Sequence, residues 1–132
     1  MNKIYSIVVV ILVVIVFCFN SCKKKDTINN KIQINFINAT SSNISNVTID
    51  SITVGSLKLN EQTGFITFNN FGTDTKNPDC DFKGMLNGKN LISTSVFYWC
   101  GTEKSSLTAG KYNVEIKTII SGNEEYFDLR FK

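Results

Sequence analysis

Four cysteines, Cys18, Cys22, Cys80 and Cys100, are the side chains of this 132-residue chain best suited to covalent chemistry, and no histidine accompanies them. A thiol can be acylated, oxidised to a disulfide, or used as a metal ligand. Metal ligation fits poorly, because a zinc site takes about four ligands and imidazole is missing. The same absence removes the commonest general base. Carboxylates stand in two close pairs, Asp79/Asp81 and Glu124/Glu125. The first pair flanks Cys80 with one residue between, a spacing that shares a strand face. "DTKNPDCD" offers oxygen ligands for calcium but lacks the ordered series and closing glutamate of an EF-hand loop; a solvated acidic turn is the simpler reading. Glu124 and Glu125 follow a turn and read as surface charges. No glycine-rich phosphate loop, nucleophile elbow or zinc signature is present. The expectation is a protein that is not an enzyme and holds no metal or cofactor.

The first two cysteines close the stretch "MNKIYSIVVVILVVIVFCFNSC". Lys3 supplies a positive start, and Ile7–Phe19 is an unbroken apolar run of 13 residues. That length suits a signal-peptide core of roughly 7–15 and is short of the roughly 20 that span a bilayer. A small-x-small cleavage site is missing; instead Ser21 directly precedes Cys22. Residues 1–22 resemble the signal and lipobox of bacterial lipoproteins, with Phe19 where that pattern carries leucine. The resemblance implies that Cys22 is acylated with palmitate-like chains and that residues 1–21 are removed. Two or more chains anchor a protein stably, at about 0.8 kcal/mol per buried methylene. Cys18, preceded by bulky Phe17, is then a passenger in the discarded peptide. The plainer alternative is a short N-terminal membrane helix with incidental cysteines.

Charge follows the same division. Lys3 and Lys23–Lys25 account for four of the 14 basic residues, leaving ten against 11 acidic ones from Asp26 onward. A body so balanced lacks the basic face of a nucleic-acid binder. Residues 22–30 read as a polar, lipid-bearing tether, and residues 31–132 as one domain. With Cys18 discarded and Cys22 acylated, Cys80 and Cys100 remain as a pair, and in an exported protein such a pair usually forms a disulfide. Two separate thiols, or half of a metal site, are the competing readings.

Beyond Asn30 the apolar residues recur with period two, the strand signal. "KIQINFIN" sets Ile32, Ile34 and Phe36 on one face. "NVTIDSITV" changes parity near Asp50, as a bulge would. "SLKLN" and "GFITFNNF" read as further strands, and "GTDTKNPDC", with the only proline, as a connecting loop. Asn87-Gly88 is the strongest hairpin signal, and a two-residue turn there pairs residues whose numbers sum to 175. Cys80 would then face Ser95, with Cys100 about 17 Å further along, too far for a disulfide. Either the loop is wider or the chain bends back after Trp99. "KYNVEIKTIISGNEEYFDLRF" places Tyr112, Val114 and Ile116 on one face, turns at Ser121-Gly122-Asn123, and returns with Phe127, Leu129 and Phe131. About seven short antiparallel strands with frequent turns imply an all-β, immunoglobulin- or transthyretin-like β-sandwich.

"INFINATSSNISNVTIDSITVGSLKLNEQTGF" followed by "LTAGKYNVEIKT" resembles small lipoproteins of the Bacteroidota, most without an assigned activity. "DTI" at 26–28 and "DSI" at 50–52 resemble the O-glycosylation motif of that phylum; Thr27, in the tether, is the better acceptor, since Ser51 falls inside a predicted strand. The resemblance implies a lipid anchor in the cell envelope, and Lys23–Lys25, where surface-exported relatives carry acids, favour a periplasm-facing domain on the outer membrane over surface display. "VFYWC" adds three successive aromatics, Phe97, Tyr98 and Trp99, of which at least one must point outward from a strand. The expected role is a non-catalytic module that binds an envelope protein or assists assembly. The alternative is a glycan-binding accessory lipoprotein that uses Phe97–Trp99. A core Trp packed beside a disulfide is the blander reading of the same residues.

Overall fold

Alternation in "KIQINFIN" builds the strand around which the domain is organised. The computed structural model describes residues 31–94 and 104–132, so the signal, the tether with Cys22 and Thr27, and Phe97, Tyr98, Trp99 and Cys100 lie outside the described residues. β1 (Ile32–Asn38) sends Ile32, Ile34, Phe36 and Asn38 into the interior. β10 (Gly110–Ser121) runs parallel to it on one side, with Ile32 opposite Gly110 and Asn38 opposite Ile116. β4 (Gln62–Phe68) runs antiparallel on the other, and β11 (Glu124–Phe131) completes the sheet in the order β11-β10-β1-β4.

The second sheet has the order β3-β2-β7-β8, from β2 (Ile44–Ile49), β3 (Ile52–Leu57), β7 (Phe82–Leu86) and β8 (Lys89–Ile92). A small third sheet, β6-β5-β9, joins β5 (Gly72–Asp74), β6 (Asn77–Asp79) and β9 (Lys104–Ser106). The two large sheets face each other across a core of Ile34, Phe36, Val114, Ile116 and Phe127 from one side and Ile44, Val47, Ile49, Phe82 and Leu86 from the other. Phenylalanines run through it in a contact chain: Phe68 to Phe71 at 5.0 Å, Phe71 to Phe36 at 6.4 Å, Phe36 to Phe82 at 6.3 Å and Phe82 to Phe127 at 5.0 Å. Each buried ring contributes roughly 1.5–3 kcal/mol of transfer free energy, and edge-to-face pairs add about 0.5–1.5 kcal/mol.

The all-β sandwich expected from the sequence is present, with five corrections. Eleven strands, not about seven, lie among the described residues. The sheets are not purely antiparallel, since β1 and β10 are parallel; alternation within a strand carries no information about its neighbour's direction. Near Asp50 the chain makes a hairpin turn, not a bulge: Ile49 pairs with Ile52, and Asp50 takes a φ of +51°. Ser51 is therefore exposed on a turn rather than inside a strand. Residues 72–79 are not a plain loop but a hairpin turning at Thr75 and Lys76, both at positive φ. Its strand β6 tolerates Pro78 because it lies at the edge of its sheet. "SLKLN" also divides, with Leu57 ending β3 and Lys58–Glu61 forming the turn into β4.

The Asn87-Gly88 hairpin holds in the expected register, from Leu86 opposite Lys89 to Lys83 opposite Ile92, with φ of +50° and +80° at the two turn residues. Such a turn matches the twist of its strands.

Because β1 and β10 start together, the sandwich has two distinct ends. The base holds the starts of β1 and β10, the end of β4 and the turn at Asp50-Ser51. The crown holds the loop after Asn38, the turns at 58–61, 87–88 and 122–123, and the last residues of β10; between the two ends an isolated bridge joins Ser93 to Phe127 of β11.

Candidate functional site

At the base, the site residue that falls within the described structure is Cys80. It is buried, at 4% exposure, where the chain bends between β6 and β7: the Phe82 amide donates back to the Cys80 carbonyl at 3.1 Å. Ser93 locks this bend. Its hydroxyl donates to the Cys80 carbonyl at 2.9 Å and accepts from the Phe82 amide at 3.2 Å, while its own amide donates to the Phe82 carbonyl at 2.8 Å. The 175 register thus reaches Phe82/Ser93 and stops there, because Cys80 has left the ladder. The extrapolation that set Cys80 against Ser95 loses its basis, and with it the objection to a Cys80–Cys100 disulfide.

The acidic residues around Cys80 are held apart by the same bend and do not share a strand face. Asp79 pairs with Lys104 at 3.2 Å and Asp81 with Lys83 at 2.6 Å. The Asp81 amide donates to Asp50 Oδ1 at 2.9 Å, and the Asp50 amide donates to the Asp81 carbonyl at 2.7 Å. Among the described residues, no group of three or more His, Cys, Asp or Glu side chains is arranged to hold a metal ion. Burial, and after it the charges of Asp50, Asp79 and Asp81, pushes the Cys80 thiol far above its ordinary range. A reduced Cys80 stays protonated at neutral pH, and the thiolate is the form that attacks electrophiles or binds metals.

Segment 95–103 leaves and rejoins the described structure at this end. On one side Ser93 is fixed to Cys80 and Phe82; on the other Lys104 pairs with Asp74 in the small sheet and reaches Asp79. Both stems of the stretch containing Phe97, Tyr98, Trp99 and Cys100 are therefore fastened to the region Asp74–Phe82.

The crown is built around one amide. Asn38 is fully buried. Its Nδ2 donates to the carbonyls of Ser42, Leu57 and Lys58 at 2.9, 3.0 and 3.1 Å, and its Oδ1 accepts from the Thr40 amide at 3.0 Å and the Thr40 hydroxyl at 2.7 Å. A buried polar group is tolerated when its hydrogen-bonding capacity is met, and here it ties the loop after β1 to the turn after β3. Toward this end three large apolar side chains are exposed: Leu59 at 48%, in the turn after β3, and Ile119 at 41% and Ile120 at 75%, in the part of β10 beyond Asn38. Beside them a groove of about 470 Å³ runs between two hairpin turns, lined by Lys89, Asn90, Leu91, Asn123, Glu124 and Glu125.

The outer face of the first sheet carries an exposed aromatic, Phe65, at 46%. The Lys111 ammonium stands 5.1 Å from its ring centroid, an arrangement that satisfies cation and ring without a ligand.

Residue-by-residue reading of the sequence had no reason to single out Leu59, Phe65, Ile119 or Ile120. One signal was present for two of them. Ile119 and Ile120 are adjacent, so on a strand they face opposite ways and a one-sided core cannot cover both.

Comparison with protein-family models, with curated proteins and with solved structures found no match to this chain.

Proposed function

We propose that this chain is a lipid-anchored protein of a bacterial cell envelope, acylated at Cys22, whose non-catalytic sandwich serves as a protein-interaction or assembly module. The observation that carries the reading is the placement of exposed Leu59, Ile119 and Ile120 at the crown, the end opposite the start of β1. A chain anchored through residue 22 arrives at the base, so the crown points away from the anchor and toward a partner. The ion pairs that hold Asp79 to Lys104 and Asp81 to Lys83 at the base add support, since they give both carboxylates a structural role. The periplasm-facing position on the outer membrane rests on Lys23–Lys25 and is part of the same proposal.

The glycan-binding alternative depends on Phe97, Tyr98 and Trp99. Their stems are fastened at the base, on the anchored side, which favours the protein-binding reading over it.

A Cys80–Cys100 disulfide belongs to the proposal as well. Cys100 is four residues from Lys104, a chain length that spans at most about 14 Å, and the Lys104 ammonium is 3.2 Å from the neighbour of Cys80. A peptide map made without reductant should contain one cross-linked peptide holding both residues, two hydrogens lighter than the sum of its parts. Alkylation of both thiols in the native protein overturns the bond.

Intact-mass analysis of protein purified from its native membrane tests the anchor. The expected chain begins at an acylated Cys22, and its acyl label disappears in Cys22→Ala but not in Cys18→Ala. A chain beginning at an unmodified Met1 overturns it.

A further inference from the structure

The parallel pairing of β1 with β10 ends unevenly. Asn38 is opposite Ile116, and the last bond across that seam runs from the Ala39 amide to the Ile116 carbonyl at 2.9 Å. β10 continues for five more residues, Lys117–Ser121, paired only with β11, from Lys117 opposite Asp128 to Ser121 opposite Glu124. Among the described residues this overhang is a two-stranded ribbon with one edge open. Backbone groups alternate sides along a strand. Since the Ile116 carbonyl faces β1, the amides and carbonyls of Thr118 and Ile120 face the open edge, while those of Lys117, Ile119 and Ser121 bond to β11.

The outer edges of β3 and β4 are blunted. β3 and β4 each carry a glycine at positive φ, Gly55 at +96° and Gly64 at +72°, with register shifts where each pairs. Kinks of this kind prevent a further strand from docking. Nothing comparable interrupts Lys117–Ser121 among the positive-φ residues. The overhang also presents Ile119 on one face and Ile120 on the other, and only an extended strand can cover both.

We propose that a partner protein adds a β-strand to the open edge of β10 at Lys117–Ser121, in the place β1 leaves, with apolar side chains over Ile119 and Ile120 and a basic residue toward Glu124 and Glu125. Glu124 and Glu125 stand on β11, across β10 from the open edge and opposite Ser121 and Ile120, so a long basic side chain flanking the apolar pair reaches over the strand toward them. Residues 1–30 join the domain at Lys31, the length of β1 away from this edge, so the chain's own leader is the poorer occupant. The inference rests on reading the sandwich as an interaction module, but not on the lipid anchor.

A benzoylphenylalanine replacing Ile119 in the full chain, irradiated in intact cells, tests it. The expected product is one discrete adduct heavier than the chain and different from twice its mass. Adding Ile120→Pro should lower the adduct roughly tenfold, the equivalent of losing one edge hydrogen bond and its apolar contact, because proline removes the edge amide and leaves the β11 ladder intact. Unchanged thermal unfolding of Ile120→Pro shows that the loss is not one of folding. An adduct at twice the chain mass, an adduct within one chain, an adduct indifferent to Ile120→Pro, or none at all overturns the proposal. If the wild-type chain then still retains a stoichiometric partner through other surfaces, the module reading stands without this edge.

Discussion

At the base of the sandwich, strands end by being tied to one another: Ser93 to Cys80 and Phe82, Asp50 to Asp81, Lys104 to Asp79. At the crown they end around a single buried amide, Asn38, and one strand simply overruns its neighbour. Several partly redundant bonds, some buried and some exposed, make the base tolerant of losing any one of them. The crown concentrates five bonds in one side chain and leaves two isoleucines uncovered, so its stability and its availability for binding reside in different residues, Ile119 and Ile120 lying three and four positions past the residue opposite Asn38. A domain that must hold a surface open benefits from that separation, because the open edge can be altered without unfolding the joint beneath it.

The sharpest test of this contrast is Asn38→Ala. It removes the acceptor of the Thr40 amide and the Asn38 donor to the Leu57 carbonyl, and takes one of two donors from the carbonyls of Ser42 and Lys58, at a cost of about 3 kcal/mol. For a domain of this size that is a fall in Tm of roughly 12–24 °C, measurable by calorimetry; a loss of only a degree or two would mean that the crown is not organised by this amide. Ser93→Ala at the base should cost less, roughly 1–2 kcal/mol, since the backbone bond from Ser93 to Phe82 survives; urea titration compares the two directly. If Ser93→Ala proves the worse of the pair, the assignment of redundancy is reversed. Ile120→Ser, at a side chain 75% exposed, should change stability by no more than about 0.5 kcal/mol while removing the partner contact.

The smallest effect is expected between the two ends. Glu115 bonds Lys117 at 2.8 Å and Lys132 at 3.4 Å, and those bonds hold its carboxyl below the usual range. A depressed folded-state pKa gives stability that is present above the unfolded value of about 4.3 and lost as pH falls through the folded one. Glu115→Gln should therefore melt slightly below the parent at pH 7 and coincide with it near pH 2. A difference that persists in acid would assign the effect to packing.

Much of this architecture was legible in the residues. The faces of β1 and of the β10–β11 hairpin follow from alternation, because a pleated strand with one buried side must repeat its apolar residues every second position. The Asn87-Gly88 register followed from turn geometry. What misled was parity read without its turn: a phase change at Asp50 fits a bulge or a two-residue hairpin equally well, and the pairing of Ile49 with Ile52 decides for the hairpin. Residues 72–79 hid two three-residue strands, too short to show a period.

Sequence alone determined that this is an all-β chain with no histidine, a balanced charge beyond its first 25 residues and an isolated pair of later cysteines, since composition and local periodicity need no partner to be read. Only the tertiary structure decided that β10 lies parallel to β1, that it runs five residues past it, and that Cys80 sits in a bend rather than a ladder. Those facts depend on which segments meet across dozens of residues, and that choice is made by the packing of the two sheets' shared core, not by any stretch taken by itself.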